Sequence, residues 1–382
     1  MPWDSRGLHT PHPPNSEGTR NYKTNTAMGE SIGKTRPQLI EVMTKNWASF
    51  FLLILLVVFS FTGKGFFSLA NLQTIVHLST VLLLLAAAET FVIISGGIDL
   101  SVGMVMGFTT IISSKIMQIM FKAEIAQGTC MLVGSVVGLV ICIVPGLISG
   151  LLVARYRVPS FIATLGIWGV TFGVQLKISG GYTIPFLPPK LVDIGNGFLI
   201  YVHPGKALSF FKRPPGIEAT QIRELIRIIP NSFVFLFVVL VVAWHLLRNT
   251  QFGQHTYAVG GSMDAAIRAG IDVRKQLVKI YVLSSFLAGL AGVFNVFQAG
   301  LGNFTRFSAM YELFAIAGVI IGGASLMGGK GRIFGSIIGI LIIGVLEIGL
   351  LTSGVEPFYR FIAVGVILIV AVVIDQLFPD LF

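Results

Sequence analysis

Apolar runs of about 20 residues, each long enough for one helical crossing of a bilayer, recur from Trp47 to Phe378 with mostly short polar breaks between them. They place spans at Trp47–Thr62, Leu72–Ser95, Leu100–Met120, Thr129–Ala154, Ser160–Ser179, Asn231–Leu247, Val278–Gln298, Tyr311–Leu326, Ile333–Ser353 and Phe358–Leu377. The count is about ten, and the near-continuity of the second and third spans leaves about nine or eleven open. Runs this long exclude the short alternating strands of a membrane barrel. The pattern predicts an all-α integral membrane protein, a polytopic bundle in which some helices are broken.

The break that matters most lies between the second and third spans. In Phe91 to Gly107, Gly96 and Gly97 weaken one apolar helix, Asp99 and Ser101 are placed to cap the free amides of the next, and apolar residues resume on both sides. Backbone broken at membrane depth is tolerated only against protein or a water-filled cavity, so the element implies an internal pathway. Val319-Ile-Ile-Gly-Gly-Ala-Ser-Leu-Met-Gly-Gly resembles it, with Gly322, Gly323 and Ser325 in the second copy, and Phe361-Ile-Ala-Val-Gly resembles Phe161-Ile-Ala-Thr-Leu-Gly. Paired interruptions point to internal repeats around a central pathway, although the separations differ between the two halves.

Composition agrees with a lipid setting: 54% of residues are hydrophobic and 12% charged, against about 25% charged in soluble domains. Positive charge then orients the bundle. Arg155 and Arg157 lie in one short loop, Arg248, Arg268, Arg274, Lys275 and Lys279 in or beside a second, and Lys330 and Arg332 in a third. An N-terminus inside puts all three in the cytoplasm, and Lys23, Lys34, Arg36 and Lys45 agree with it. Residues 180–230 then form an extracytoplasmic loop, whose basic residues weigh little because long loops translocate largely regardless of charge. The net charge of +10 thus speaks for topology and membrane lipid, not nucleic acid. Residues 1–46 are polar and rich in Pro, Gly, Ser and Thr, which predicts a disordered cytoplasmic tail, and Met28 or Met43 could be the true start. Residues 47–378 form the transmembrane domain. Cys130 and Cys142 fall on one helix, cannot bridge each other, and read as packing residues.

Glycines recur at helix-contact spacing: Gly103 with Gly107, Gly134 with Gly138, Gly146 with Gly150, Gly169 with Gly173, Gly318 with Gly322, and Gly335 with Gly339. Such faces let helix backbones approach closely in lipid and predict a tight bundle and a subunit interface, although a glycine-rich chain produces some of these spacings by chance. Polar groups within the spans are few. Glu89, Glu312 and Glu347 would line a pathway or bond to a helix break. Asp99 reads first as a cap, and Asn295 and Gln175 as bridges between helices or as hydrogen-bonding groups for a solute.

A different element lies in the 248–277 cytoplasmic loop. Gly260-Gly-Ser-Met-Asp-Ala-Ala-Ile-Arg-Ala-Gly-Ile271 predicts a helix of about two turns, capped by Ser262, favoured by Asp264 in its first turn and stopped at Gly270. Its small residues Ala265, Ala266 and Ala269 would fit closely against a partner, with Arg268 beside them.

Taken with Gly96-Gly-Ile-Asp-Leu-Ser-Val-Gly103, Tyr257-Ala-Val-Gly-Gly, Ala269-Gly-Ile and Gly322-Gly-Ala-Ser-Leu-Met-Gly-Gly-Lys-Gly-Arg332, the chain resembles the permease subunits of ribose-type monosaccharide ATP-binding-cassette importers. The similarity runs in order from about Trp47 to Phe378. It departs at the N-terminal tail, the enlarged 180–230 loop, Gly-Gly-Ser-Met at 260–263 and Met327. The resemblance implies a permease in the inner membrane, a second permease subunit in a homodimer or heterodimer, a separate ATPase subunit, and an extracytoplasmic substrate-binding protein. It makes Ser262 to Ile271 the coupling helix seated in the ATPase, and implies a pathway for a ribose-like pentose or hexose. Nucleosides, furanose signalling molecules, polyols and branched-chain amino acids are alternatives. No cofactor is expected, since Gly328-Gly-Lys-Gly-Arg lacks the spacing and hydroxyl of a phosphate loop.

Two other classes stand beside this reading. An ion-driven secondary transporter would share the broken helices and carboxylates but need no docking helix. A membrane enzyme would need a metal or nucleophile, and the six histidines show no metal spacing.

Overall fold

The computed structural model describes residues 46–203, 207–211, 225–303, 310–356 and 358–377. The tail expected over 1–46 lies outside these residues, apart from Asn46. The helices are α1 (Trp47–Thr62), α2 (Leu69–Ile94), α3 (Val102–Lys122), α4 (Gln127–Ile141), α5 (Ile143–Tyr156), α6 (Ser160–Ser179) and α7 (Lys190–Gly195). After three short strands follow α8 (Asn231–Asn249), α9 (Gln251–Gly261), α10 (Met263–Arg268), α11 (Val273–Ala299), α12 (Tyr311–Ile321), α13 (Ile333–Thr352) and α14 (Phe358–Leu377). Every expected span is a helix, and among the described residues seven stretches are long and apolar enough to cross a membrane, with α4 and α5 taken as one.

Two spans differ from the expectation for identifiable reasons. The fourth, expected to be continuous from Thr129 to Ala154, is interrupted at Cys142, because Pro145 has no N–H to give the carbonyl four residues earlier. The eighth stops at Ile321 instead of Leu326, so α12 has 11 residues and rises only about 16 Å. That is roughly half of a bilayer's hydrocarbon thickness.

Helices α2 and α11 form the centre. Helix α2 is buried along nearly its whole length from Ser79 onward, and α11 packs on α2, α3 and α5. Helices α12 and α13 pack on each other and on α2, with α1 against α13 and α14 against α12. Outward faces carry apolar side chains, such as Leu132, Val136 and Val140 on α4 and Phe237, Val238 and Val241 on α8, as a lipid-facing surface requires.

The glycine faces decide which helices approach. A Cβ at Gly146 would collide with Ser285 and the Tyr281 carbonyl, and one at Gly150 would lie 2.9 Å from Val278 Cα, which sets α5 directly on α11. Gly134 and Gly138 meet Ser113 and Met117 of α3. Gly322 and Gly335 meet each other's backbone, as does Gly339 the carbonyl of Gly318, so the pairs on α12 and α13 are mutual. Gly169 and Gly173 differ: among the described residues nothing beyond their own helix lies within 4 Å of a Cβ at either position, or at Gly166 on the same helix.

The described part of the 180–230 segment has secondary structure of its own. It contains α7 and a three-stranded sheet in the order β2-β1-β3, with β1 (Ile200–His203) antiparallel to β2 (Ala207–Phe210) and β3 (Ile226–Arg227). Tyr201 faces Ser209 on one side and Arg227 on the other. The segment is fastened to the C-terminal end of α11 by the Asn196 side chain, which donates to the Gln298 carbonyl at 2.9 Å, and by paired backbone bonds between Ile184 and Gly302.

Candidate functional site

Both helix breaks begin with the same turn. After α2, Gly96 at φ +82 donates to the Ile93 carbonyl and Gly97 to that of Val92. After α12, Gly323 at φ +87 donates to Ile320 and Ala324 to Val319. Each is a left-handed stop closed by a five-residue and a three-residue bond, a conformation that glycine adopts without the penalty of a Cβ. The repeat visible as Val-Ile-Ile in both segments is thus a repeat of geometry.

The two breaks meet each other and the end of α9. The Gly329 amide donates to the Ile94 carbonyl at 2.8 Å, joining the second break to the last residue of α2. Gly260 closes the same junction. A Cβ there would collide with the Ile94 carbonyl oxygen and lie 2.7 Å from the Gly329 nitrogen. A Cβ at Gly328 would lie 2.7 Å from the Gly260 oxygen and 3.0 Å from Gly96 Cα. Tyr257, one turn back on α9, donates its hydroxyl to the Gly331 carbonyl at 2.7 Å. Three backbone segments therefore touch without side chains between them: the end of α2 with Gly96, the end of α9 and the Gly328–Gly329 loop. Ser325 shapes that loop by taking the Gly328 amide on its carbonyl and the Met327 amide on its hydroxyl.

From this junction the chain passes into α10. Ser262 accepts the Ala265 amide at 3.3 Å, and Gly270 at φ +82 ends the helix with bonds from Gly270 to Ile267 and from Ile271 to Ala266. The cap and stop expected for Ser262 and Gly270 are both present. The expected face is not. Ala266 is turned inward and packs with Ala154, Val259, Val273 and Leu277, while Ala265 and Ala269 are exposed. The apolar groups that α10 offers outward are Met263 and Ile267, one turn apart and 48% and 58% exposed. Asp264, Arg268 and Gly261 are exposed beside them. Asp272 then caps α11, and the bonds it accepts from the Lys275 amide and side chain hold its carboxyl below the usual carboxylate range.

A cavity of about 470 Å³ connects α10 to the first break. Ser95, Gly96 and Gly97 line one side, Met263, Asp264 and Ile267 the other, with Tyr281 between them and Arg157 and Arg274 also on its wall. Residues of two of the three basic loops share this space, and Lys330 and Arg332 share another with Asn46 and Trp47 at the start of α1. The basic loops and the first helix thus lie at one end, as the charge pattern requires.

The polar residues of the spans are placed apart from the junction. Asp99 accepts the Ser101 amide at 3.0 Å and its hydroxyl at 2.5 Å, and the Ser284 hydroxyl of α11 at 2.8 Å. Ser101 therefore does not cap α3 with its side chain; its hydroxyl is spent on Asp99. Ser160 and Thr164 of α6 satisfy the amides of Ile98 and Leu100. Glu312 accepts the Trp168 indole N–H at 3.1 Å and lies against Gly103 of α3. Glu89 and Asn295 are fully buried without hydrogen-bond partners of good geometry, Glu89 within electrostatic range of Asp99 and Glu312. None of these four lines the 470 Å³ cavity. Replacing Asp99 by alanine orphans the Ser101 amide and the Ser284 hydroxyl, at about 1–3 kcal/mol for each buried group. Thermal unfolding in detergent should show a clear loss for Asp99→Ala and a smaller one for Asp99→Asn, which keeps an acceptor; equal midpoints would remove the anchoring role.

A polytopic bundle with paired broken helices, and a short capped helix joined to them, has the architecture of a membrane transport component. Residues 71–372 match the family described as the permease component of the branched-chain amino acid transport system, and the chain belongs to that family. Its relatives include the ribose import permease protein RbsC of Escherichia coli K12, 33% identical over 325 residues that cover 85% of this chain and 91% of the relative. The fructose import permease protein FrcC of Rhizobium meliloti is 33% identical over 314 residues, covering 82% and 80%. The galactose/methyl galactoside import permease protein MglC of Escherichia coli K12 is 30% identical over 332 residues, covering 85% and 92%. No solved structure matches. The chain is a multi-pass permease of the bacterial cytoplasmic membrane.

Proposed function

We propose that this chain forms the translocation pathway of an ATP-binding-cassette importer for a monosaccharide, a ribose-like pentose or a hexose. A separate ATPase subunit docks on α10, and an extracytoplasmic binding protein delivers the sugar to the outer face. The observation that carries the reading is the junction. A short, rigidly capped helix with an exposed apolar pair at Met263 and Ile267 leads directly, through Gly260, to the backbone of both helix breaks. Force applied to α10 by a partner is thereby delivered to the ends of α2 and α12, and differential affinity of the partner for two packings of the bundle drives the change between them. Sugar as substrate is supported by the relatives, whose names specify ribose, fructose and galactose import.

A second permease subunit completes the pathway. The Gly166, Gly169 and Gly173 face of α6 supports this, since it has the spacing of a close helix contact and meets no other element among the described residues. The family description favours one other substrate, a branched-chain amino acid. Proteoliposomes holding the chain with its ATPase and binding protein separate the readings when supplied with labelled ribose, fructose, galactose or leucine. ATP-dependent sugar uptake is expected. Leucine uptake would replace the substrate assignment, and uptake driven by an ion gradient without the ATPase would overturn the importer.

A further inference from the structure

We propose that the groove between α8 and α13 holds one anionic phospholipid of the cytoplasmic leaflet, with its phosphate between Arg248 and Arg332. The groove encloses about 750 Å³, within the roughly 300–1,000 Å³ of small-ligand sites. Its length is apolar. Val241 and Trp244 of α8 form one wall, and Phe334 and Ile337 of α13 the other. Polar groups gather at one end only, where Arg248, Arg332 and Tyr257 form the mouth.

The charge at that mouth is uncompensated. Among the described residues neither arginine has a carboxylate partner. Arg248 lies over the Trp244 ring at 5.7 Å, which fixes the guanidinium at the rim. Arg332 is exposed at the start of α13, beside the Tyr257 phenol. An apolar slot open on the lipid-facing side of α8, with two guanidiniums at its cytoplasmic end, matches an acyl chain joined to a phosphate. A free phosphate would leave the slot unfilled, and a zwitterionic lipid would bring its own cation to the arginines.

Occupancy reaches the junction. Arg248 ends α8 just before α9, Arg332 ends the loop of the second break, and Tyr257 between them already bonds to Gly331. A phosphate held by both arginines ties α9 to that loop and so steadies Gly260 against Gly329.

The test uses the full chain in nanodiscs of mixed phosphatidylglycerol and phosphatidylcholine, followed by native mass spectrometry of the lipid retained after release. Wild type should retain phosphatidylglycerol in preference, with about one molecule per chain held at the highest release energy. Arg248→Gln with Arg332→Gln should weaken that retention about 30-fold. The control Arg155→Gln with Lys279→Gln removes equal charge at the same end, from other exposed positions, and should leave it unchanged. Equal retention of phosphatidylcholine, an equal loss in the control, or no lipid retained by wild type would each overturn the site.

Discussion

Alanine at Gly260 should reduce ATP-driven uptake to background, while alanine at Gly261, the next residue, should leave it near wild type. The two substitutions add the same methyl group to the same end of α9. At Gly261 nothing lies within 4 Å of the new atom. At Gly260 it meets the Ile94 carbonyl and, at 2.7 Å, the Gly329 nitrogen. Those are the two partners of the bond that joins the first break to the second, and backbone atoms cannot rotate aside as a side chain would. Overpacking of this kind typically costs about 1–3 kcal/mol, and more where the neighbours are rigid. Because the clash falls only on the packing in which α9 touches both breaks, the strain shifts the balance between packings by about 5-fold to 150-fold. Binding of the ATPase should persist, since α10 remains exposed. Uptake by Gly260→Ala equal to that of Gly261→Ala would show that the junction does not carry the coupling.

That contrast also marks what could be read from the chain and what could not. The spans were legible because each is a long apolar run bounded by polar or glycine-rich residues, and α6 and α14 match their expected limits. The stops at Gly96, Gly323 and Gly270 were legible from local chemistry, since each follows a helical run that only a left-handed residue closes with those bonds. The convergence of Ile94, Gly260 and Gly329 was not, because contacts between residues more than 60 apart leave no periodic trace. Spacing was equally mute on partners: Gly318 and Gly322, four apart, both meet α13, whereas Gly169 and Gly173, also four apart, meet nothing among the described residues. Six residues of α10 were too few to tell which alanine turns inward. The sheet was not legible either, because strands of two to four residues resemble any apolar turn. Pro145 alone could have revealed the break at Cys142, and the unbroken apolar run around it concealed the signal.

The orientation of α10 yields the second large effect. Ile267→Asp, alone or with Met263→Asp, should abolish copurification of the ATPase while the permease remains folded. Both side chains are about half exposed and border an open cavity, so the carboxylates reach water in the free chain. In a docked groove the same carboxylate would be desolvated without a partner, and an apolar anchor would be lost as well. Loss of a central anchor typically costs about 2 kcal/mol or more, a roughly 30-fold weaker complex. Ala266→Arg should behave in the opposite sense. Its guanidinium would have to enter the cluster of Ala154, Val259, Val273 and Leu277, so the unfolding temperature of the isolated permease should fall. Measuring ATPase retention and isolated-chain stability for both variants separates docking from folding. Retention of the ATPase by the folded Met263→Asp, Ile267→Asp double variant would move the docking surface away from α10, and with it the path by which the ATPase could reach Gly260 and the two helix breaks.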